Sequence, residues 1–441
     1  MKRPRLPRWL YPGMHIKRWL VVAFLGIVLL GLGAAIYLRD LYRATDADTI
    51  PVIFWLTGAW LEPEVRALLV GGLGVVLTGL GIWGLMRSVV SPFVGRGDSV
   101  MEVLYTKRYL ARGPRIVAMG GGTGLSTLLR GLKGYSANIT AVVAVADDGG
   151  SSGQLRQQLG IVPPGDIRNC IAALADAEPL MTQLMQYRFP AGSGLDNHAF
   201  GNLFIAAMTA VTGDFEEAVR ESNRVLAVRG QVLPVTSVPL NLSAQMASGK
   251  TLHGQVGISG SDERIQRVFI EPADVRANVE ALERILEAEM IVIGPGSLFS
   301  SVLPNLLIAD VRDALSAAQG IIVYVCNVAT QVGETAGMSA SEHLRALFDH
   351  VGDELVDYVI INRNAAARPP EGWRAQPVDV DVRRLEELPV VIVEEDVIDL
   401  ANAHRHDPAK LATALMRLLQ EDRVARRPTR RRMGRSTAHA S

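Results

Sequence analysis

Six polar or glycine-rich clusters in this chain have the residue types and spacing of ligand-binding loops. The first is Gly120-Gly121-Gly122-Thr123-Gly124-Leu125-Ser126, which follows a short Val/Ile run and opens an apolar helix. That order exposes backbone N–H groups at a helix N-terminus, where a phosphate fits without a side chain in the way. Gly121, Gly122, Thr123 and Gly124 are therefore candidate phosphate ligands, with a tight structural turn as the alternative. The dinucleotide pattern G-x-G-x-x-G fails because Leu125 holds the last glycine position, and no Gly-Lys-Ser/Thr follows. Next comes Asp147-Asp148-Gly149-Gly150-Ser151-Ser152-Gly153-Gln154-Leu155-Arg156. Asp147 and Asp148 are oxygen ligands suited to Mg²⁺ shared with substrate phosphates, Ser151 is a ligand hydroxyl and Arg156 could clamp a phosphate. Turn capping by the two aspartates is the other reading.

Pro163-Pro164-Gly165-Asp166-Ile167-Arg168-Asn169 places Arg168 and Asn169 in the first turn of a helix, although Arg168 could equally make a surface ion pair. In Asp196-Asn197-His198-Ala199-Phe200-Gly201-Asn202, Asn197 and Asn202 offer amides to a base, sugar or phosphate. His198 could serve there or make a structural hydrogen bond. Gly294-Pro295-Gly296-Ser297 is a small-residue turn before a helical segment and suits an anion, which makes Gly294, Gly296 and Ser297 candidates. Asn327 and Thr330 lie in the polar loop Cys326–Thr335. No metal-thiolate pattern, H-E-x-x-H or G-x-S-x-G elbow occurs, so no catalytic residue is assigned.

The elements that must position these loops read as alternating strands and helices. Strands are expected at Arg115–Met119, Ile139–Ala146, Met290–Ile293, Ile321–Val325, Tyr358–Ile361 and Val390–Val393. Helices are expected over Leu125–Leu132, Ile167–Ala175, Phe200–Val211 and Leu303–Leu315. That alternation predicts an α/β fold with a parallel sheet and helices on both faces. Asp214 followed by Glu217 marks a capped helix start. From Gln231 to Glu271 the rhythm breaks, since Val232–Val238, Thr251–Gly257 and Arg267–Glu271 read as strands with no helix between them, which predicts a small antiparallel excursion.

Composition sets the surroundings of this body. The 441 residues are 49% hydrophobic and only 20% charged, with a mean hydropathy of +0.20, so part of the chain is expected in lipid. Residues 19–38 and 67–86 are uncharged runs long enough for transmembrane helices. A signal peptide is the competing reading of the first, disfavoured by its length and the lack of a small-residue cleavage site. Residues 1–18 carry six cations, the 39–66 linker three cations against five carboxylates, and 87–112 is again basic. Positive-inside then predicts a two-span membrane protein with both termini and the 113–422 domain in the cytoplasm, 39–66 outside, and a disordered Arg-rich tail over 423–441. Those basic ends could also contact anionic lipid.

Net charge is zero, from 45 basic and 45 acidic residues. Thirteen of the cations lie in residues 1–18 and 423–441, which hold no carboxylate and leave 32 basic against 45 acidic residues elsewhere. An acidic body argues against nucleic acid as partner. Two cysteines, Cys170 and Cys326, exclude a disulfide scaffold.

Taken together, GGGTGLS at Gly120–Ser126, DDGGSSGQLR at Asp147–Arg156, PPGDIRN at Pro163–Asn169, HAFGNLFIAA at His198–Ala207, GPGS at Gly294–Ser297 and NVATQVGET at Asn327–Thr335 resemble the YvcK-type gluconeogenesis factors, from about Arg115 to Leu419. That family is related to the CofD-type 2-phospho-L-lactate transferases. The resemblance implies a Rossmann-like fold, binding of a nucleotide sugar such as UDP-N-acetylglucosamine, and support of cell shape and wall synthesis during gluconeogenic growth. It also implies a nucleotide contact for Arg405, in an Arg405-His406 pair matching a family motif. Pro408 stands where some relatives carry a phosphorylatable Thr, which puts such control in doubt. The alternative is a transferase with Mg²⁺ on Asp147 and Asp148. A homo-oligomer is also open.

Overall fold

A computed structural model describes residues 16–42, 62–90, 109–176, 179–364, 366 and 374–425. The chain divides into two compact units, 1–108 and 109–441.

The first unit contains two long helices, α1 (Ile16–Tyr42) and α2 (Pro63–Val90). They run antiparallel with glycine at the points of closest approach. A Cβ on Gly26 would lie 2.5 Å from the Thr78 amide, one on Gly74 2.8 Å from that of Leu30, and one on Gly81 2.6 Å from that of Ala23. Small residues of this kind let helix backbones touch. Of the two expected spans, only Leu68–Met86 in α2 is long and apolar enough to cross a membrane among the described residues. In α1 the apolar stretch among the residues whose side chains are described is Val21–Ala35. Most of the 39–66 linker and most of 87–112 lie outside the described residues.

In the second unit, β1 (Ile116–Gly120), α3 (Gly122–Leu132) and β2 (Ile139–Val143) come first. Four helices follow, α4 (Gly150–Leu159), α5 (Gly165–Leu174), α6 (Pro179–Gln186) and α7 (Phe200–Thr212), then α8 (Phe215–Val225) and β3 (Gln231–Pro234). An insertion comprises β4 (Asn241–Met246), β5 (Thr251–His253), the one-turn α9 (Gln255–Ser259) and β6 (Ile265–Glu271). The second half continues through α10 (Val279–Glu287), β7 (Met290–Ile293), a π-helical turn (Leu298–Val302), α11 (Leu303–Leu306), α12 (Ala309–Ala317) and β8 (Ile321–Val325). It ends with α13 (Ala340–Val351), β9 (Tyr358–Asn362), α14 (Val382–Leu385), β10 (Val391–Glu395) and α15 (Pro408–Ala425).

Among the described residues, seven strands form one sheet in the order β10-β9-β8-β7-β1-β2-β3, with every neighbouring pair parallel. Every residue of β1, β2, β7 and β8 is buried, so both faces of the sheet are covered, which is why these strands read as unbroken apolar runs. The α/β reading with a parallel sheet and a small antiparallel sheet therefore holds. The excursion differs in detail. Its first expected strand is β3, which joins the main sheet beside β2, and the antiparallel sheet β5-β4-β6 uses β4, which the sequence reading missed. β4 reads Asn-Leu-Ser-Ala-Gln-Met, whose polar alternation hides a strand that is mostly buried. Thr251–Gly257 turns after three strand residues into α9, and Leu303–Leu315 is interrupted between Leu306 and Ala309. Asp214 does cap α8, accepting the Glu217 N–H at 2.8 Å. Finally, α15 extends through Arg423, which pairs with Glu289, so the Arg-rich tail begins later than 423; residues 426–441 lie outside the described residues.

Candidate functional site

β1 and β7 are neighbours, yet the chain proceeds from β1 towards β2 and β3 on one side and from β7 towards β8, β9 and β10 on the other. Loops leaving their carboxyl ends therefore diverge and open a crevice, the usual ligand position in an open parallel sheet. A cavity of about 300 Å³ lies there. Its walls are Gly121–Gly124 and Thr127 after β1, Pro295–Ser297 and Ser301 after β7, Asn327–Ala329 and Gln331 after β8, and His404–His406 before α15.

The β1 loop can take this course only with glycine. Gly122 has φ +64°, and a Cβ on Gly124 would lie 2.5 Å from the Pro295 carbonyl oxygen, so the β1 and β7 loops touch backbone to backbone. No side chain caps α3 at Gly121, and Thr127 Oγ1 donates to the Thr123 carbonyl at 2.9 Å. Behind this loop sits Asp166, partly buried, with its carboxylate against Gly121 and the Gly122 N–H. Burial, reinforced by Asp147, pushes Asp166 up to about 7.

The β7 loop is braced by amides. Asn327 accepts the Gly296 N–H and donates to the Gly296 carbonyl at 2.9 Å, while Gln331 Nε2 donates to Ser297 Oγ at 3.0 Å. Gly294, at φ +81°, forms the bend at the end of β7 and lies behind the cavity wall. At the π-turn a buried carboxylate already occupies the anion position. Glu334 accepts the Phe299 and Ser300 N–H groups, the Ser300 hydroxyl at 2.6 Å and the Ser259 hydroxyl at 3.3 Å. Burial holds Glu334 above the usual carboxylate range. The first amides of that turn are therefore taken, and the open amide cluster facing the cavity is that of α3.

The remaining expected ligands form a second polar cluster beyond β2. Asp147 Oδ1 accepts the Gly149 N–H at 3.0 Å, and its other oxygen faces Ser152 and Gly165; burial raises it. Asp148 Oδ1 instead accepts the Val256 N–H at 3.0 Å, and its Oδ2 lies against Gly254. The two expected metal ligands thus diverge, Asp148 holding α9 while Asp147 faces Asp166. Among the described residues no three His, Cys, Asp or Glu side chains converge on a common point for a metal. A Mg²⁺ ion here would rest on Asp147 together with substrate phosphate oxygens, a set that Mg²⁺ accepts.

Ser151 is enclosed. Asn202 Nδ2 at 3.0 Å and the Ala199 N–H at 3.4 Å donate to its Oγ, which leaves the hydroxyl proton for His198 Nδ1 at 3.1 Å. Arg156 reaches the Leu240 carbonyl and Asn241 Oδ1 and so ties α4 to β4, in place of the phosphate expected of it. Arg168 is buried, donates to Asn169 at 2.8 Å and leaves its Nε without a partner. Asn197 takes φ +60° in a turn whose carbonyl accepts Arg188. Thr330 is spent on Gln376, through its N–H to the Gln376 carbonyl and its Oγ1 from the Gln376 N–H.

Gly121, Gly122, Thr123, Gly124, Gly296, Ser297, Asn327 and Arg405 thus meet at one cavity, while Asp148, Ser151, Arg156, Arg168, Asn169, Asn197, Asn202, Gly294 and Thr330 do not line it. Thr127, Ser301 and Gln331 were missed, although each stands four residues after an expected ligand, Thr123, Ser297 and Asn327, a spacing that on a helix places both on one face. His406, beside Arg405, donates Nε2–H to the Cys326 carbonyl at 3.1 Å, and burial pushes it down to about 4, which keeps it neutral.

Fold and crevice define an α/β protein with a cavity at the topological switch point of a parallel sheet. Residues 116–398 match the family model described as 2-phospho-L-lactate transferase CofD. The gluconeogenesis factor of Bacillus subtilis is 45% identical over 313 residues, 70% of this chain and 99% of the relative. A relative from Nostoc sp. is 45% identical over 428 residues, 93% of this chain and 92% of its own. The crystal structure of protein BH3568 from Bacillus halodurans superposes with a TM-score of 0.66 at 43% identity, covering 69% of this chain and all of that one. The chain belongs to the CofD family, within the group that includes the gluconeogenesis factors.

Proposed function

We propose that this protein is a nucleotide-sugar-binding regulator, of UDP-N-acetylglucosamine or a close analogue, that supports cell shape and wall synthesis during gluconeogenic growth. The observation that carries this reading is the switch-point cavity, with the uncapped amides of α3 on one wall and exposed Arg405 on another. Amides at a helix N-terminus suit a diphosphate, and an arginine over the opening suits a uridine or a second phosphate. The α1–α2 hairpin tethers the body to the cell membrane, with both termini and the body in the cytoplasm; support comes from the Leu68–Met86 stretch and the basic flanks.

The test uses the body alone. Relatives such as that of Bacillus subtilis consist almost wholly of this part, so a 109–425 fragment folds by itself. Calorimetry should give saturable UDP-N-acetylglucosamine binding that survives chelation and weakens at least tenfold in Arg405→Ala. A fragment lacking the hairpin that fully restored the shape of a deletion strain would remove the tethering part of the proposal.

One observation favours a second reading, a Mg²⁺-dependent transferase like the family's namesake: the raised acid Asp166 stands behind the Gly-rich loop and is coupled to a second raised acid, Asp147. When bound, the ion would neutralise phosphate charge. Asp147 would hold it, and Gly121–Gly124 would orient the donor. Guanosine-selective binding that requires Mg²⁺ would decide for this reading.

A further inference from the structure

The insertion β4–β6 contributes no residue to the cavity wall, yet its one turn of helix, α9, reaches loops from both halves of the main sheet. At the first turn of α9, Asp148 after β2 accepts the Val256 N–H at 3.0 Å. Gly254, at φ +79°, lies so close there that a Cβ would collide with Asp148 Oδ2. No side chain of its own neighbourhood caps α9, so a carboxylate 108 residues earlier in the chain takes that place. At the other end, the Ser259 carbonyl rests on Gly333 in the turn after β8, where a Cβ would again collide, and the Ser259 hydroxyl donates to Glu334 Oε1 at 3.3 Å. Between the two ends Ile258 is fully buried, whereas Val256 is 61% exposed and Gly257 faces open space.

We propose that α9 is a strap that sets the width of the switch-point crevice, with Asp148 and Glu334 as positioning residues that clip it to opposite halves of the sheet. In the strand order β8-β7-β1-β2 the crevice opens between β7 and β1, and the two clipped loops follow the outer strands of that set. Three spacings of ~4.8 Å separate β8 from β2, about 14 Å in all. The five residues of α9 rise ~8 Å, and one side-chain hydrogen bond at each end, ~3 Å apiece, completes the span. What the second clip holds is the cavity wall. Glu334 also accepts the first amides of the π-turn, and Gln331, whose carbonyl accepts the Glu334 and Thr335 N–H groups, donates to Ser297. Ser297, Ser301 and Gln331 line the cavity, so moving the strap moves the wall that faces α3. A cap needs only an acceptor oxygen at Asp148, whereas a metal would need its charge, so Asp148→Asn and Asp148→Ala separate the two roles. The effect of the strap on affinity rests on the nucleotide-sugar reading given above; the mechanical link between the two loops does not.

Hydrogen exchange and calorimetry on the 109–425 fragment test both. Asp148→Ala should speed exchange of the α9 amides and also of the 331–335 turn, and should weaken UDP-N-acetylglucosamine binding about fivefold, the loss of one helix cap. Asp148→Asn keeps an oxygen for the Val256 N–H and should hold exchange and affinity within about twofold of wild type. Gly333→Ala, which drives a methyl group into the Ser259 carbonyl, should loosen α9 from its other end and speed exchange at Asp148 and Gly149. Faster exchange confined to the neighbourhood of residue 148 in Asp148→Ala, an Asp148→Asn variant as impaired as Asp148→Ala, or unchanged affinity in a variant whose strap is loose would each overturn the proposal. A wild-type fragment that binds no UDP-N-acetylglucosamine, while loosening one clip still speeds exchange at the other, would remove the nucleotide-sugar reading and support the strap.

Discussion

Asp166 is an acid held behind the very loop that offers amides to an anion. Its unfolded value lies near 3.8 and its folded value near 7, so the native state retains a proton that the unfolded chain has lost. The stability it contributes is fully present below 3.8 and lost as pH rises through 7; at ~1.4 kcal/mol per unit the loss amounts to a few kcal/mol. Wild-type melting temperature should therefore fall between pH 5 and 8, and Asp166→Asn should flatten that slope. A slope unchanged in the variant would place the titration elsewhere, with Asp147 the nearest candidate, since burial also raises it. His406 has the opposite sign: its folded value near 4 lies below the unfolded 6.5, so the stability tied to its neutral form is lost as pH falls through that interval. Its imidazole resonances should titrate near pH 4. Such residues are hard to read from sequence. PPGDIRN shows an aspartate in a turn, but its protonation depends on burial and on the nearby Asp147, both of which only folding supplies.

At the scale of elements, the contact between the β1 and β7 loops is the tightest requirement of the site. Gly124→Ala would press a methyl group into the Pro295 carbonyl and force the two walls apart; ligand binding should be abolished, with at least ~2 kcal/mol of lost stability in chemical denaturation. Replacing the α8 cap, Asp214→Ala, should cost ~1 kcal/mol with binding intact, because that helix start lies away from the cavity. Strands β7 and β8 were legible to the residue, since buried parallel strands are continuous Val/Ile runs. β4 was not, because its alternating polar residues resemble a loop. Loop positions were legible because they follow strands, but their partners were not. Arg156 looks like a phosphate clamp from its neighbours in sequence, and only the return of β4 beside it reveals an intramolecular acceptor.

For the whole molecule, relatives come in two lengths. Some match only the body, while the Nostoc alignment has to run through most of the N-terminal unit as well. Binding should therefore belong to the body: the 109–425 fragment and the full chain in detergent should have the same affinity for the nucleotide sugar within about threefold, measured by calorimetry. A full chain that bound tenfold more tightly would show that the helical unit contributes to the site. The two-span reading was legible only as hydropathy, and among the described residues the structure supports one stretch of spanning length, Leu68–Met86. The crevice itself is assembled from residues 121–124, 295–301, 327–331 and 404–406, and so spans nearly the entire body in sequence. This has a consequence for biosynthesis: a growing chain on the ribosome has no ligand site until His406 has emerged, about 20 residues before the end of α15, so ligand capture reports that synthesis of the body is nearly complete.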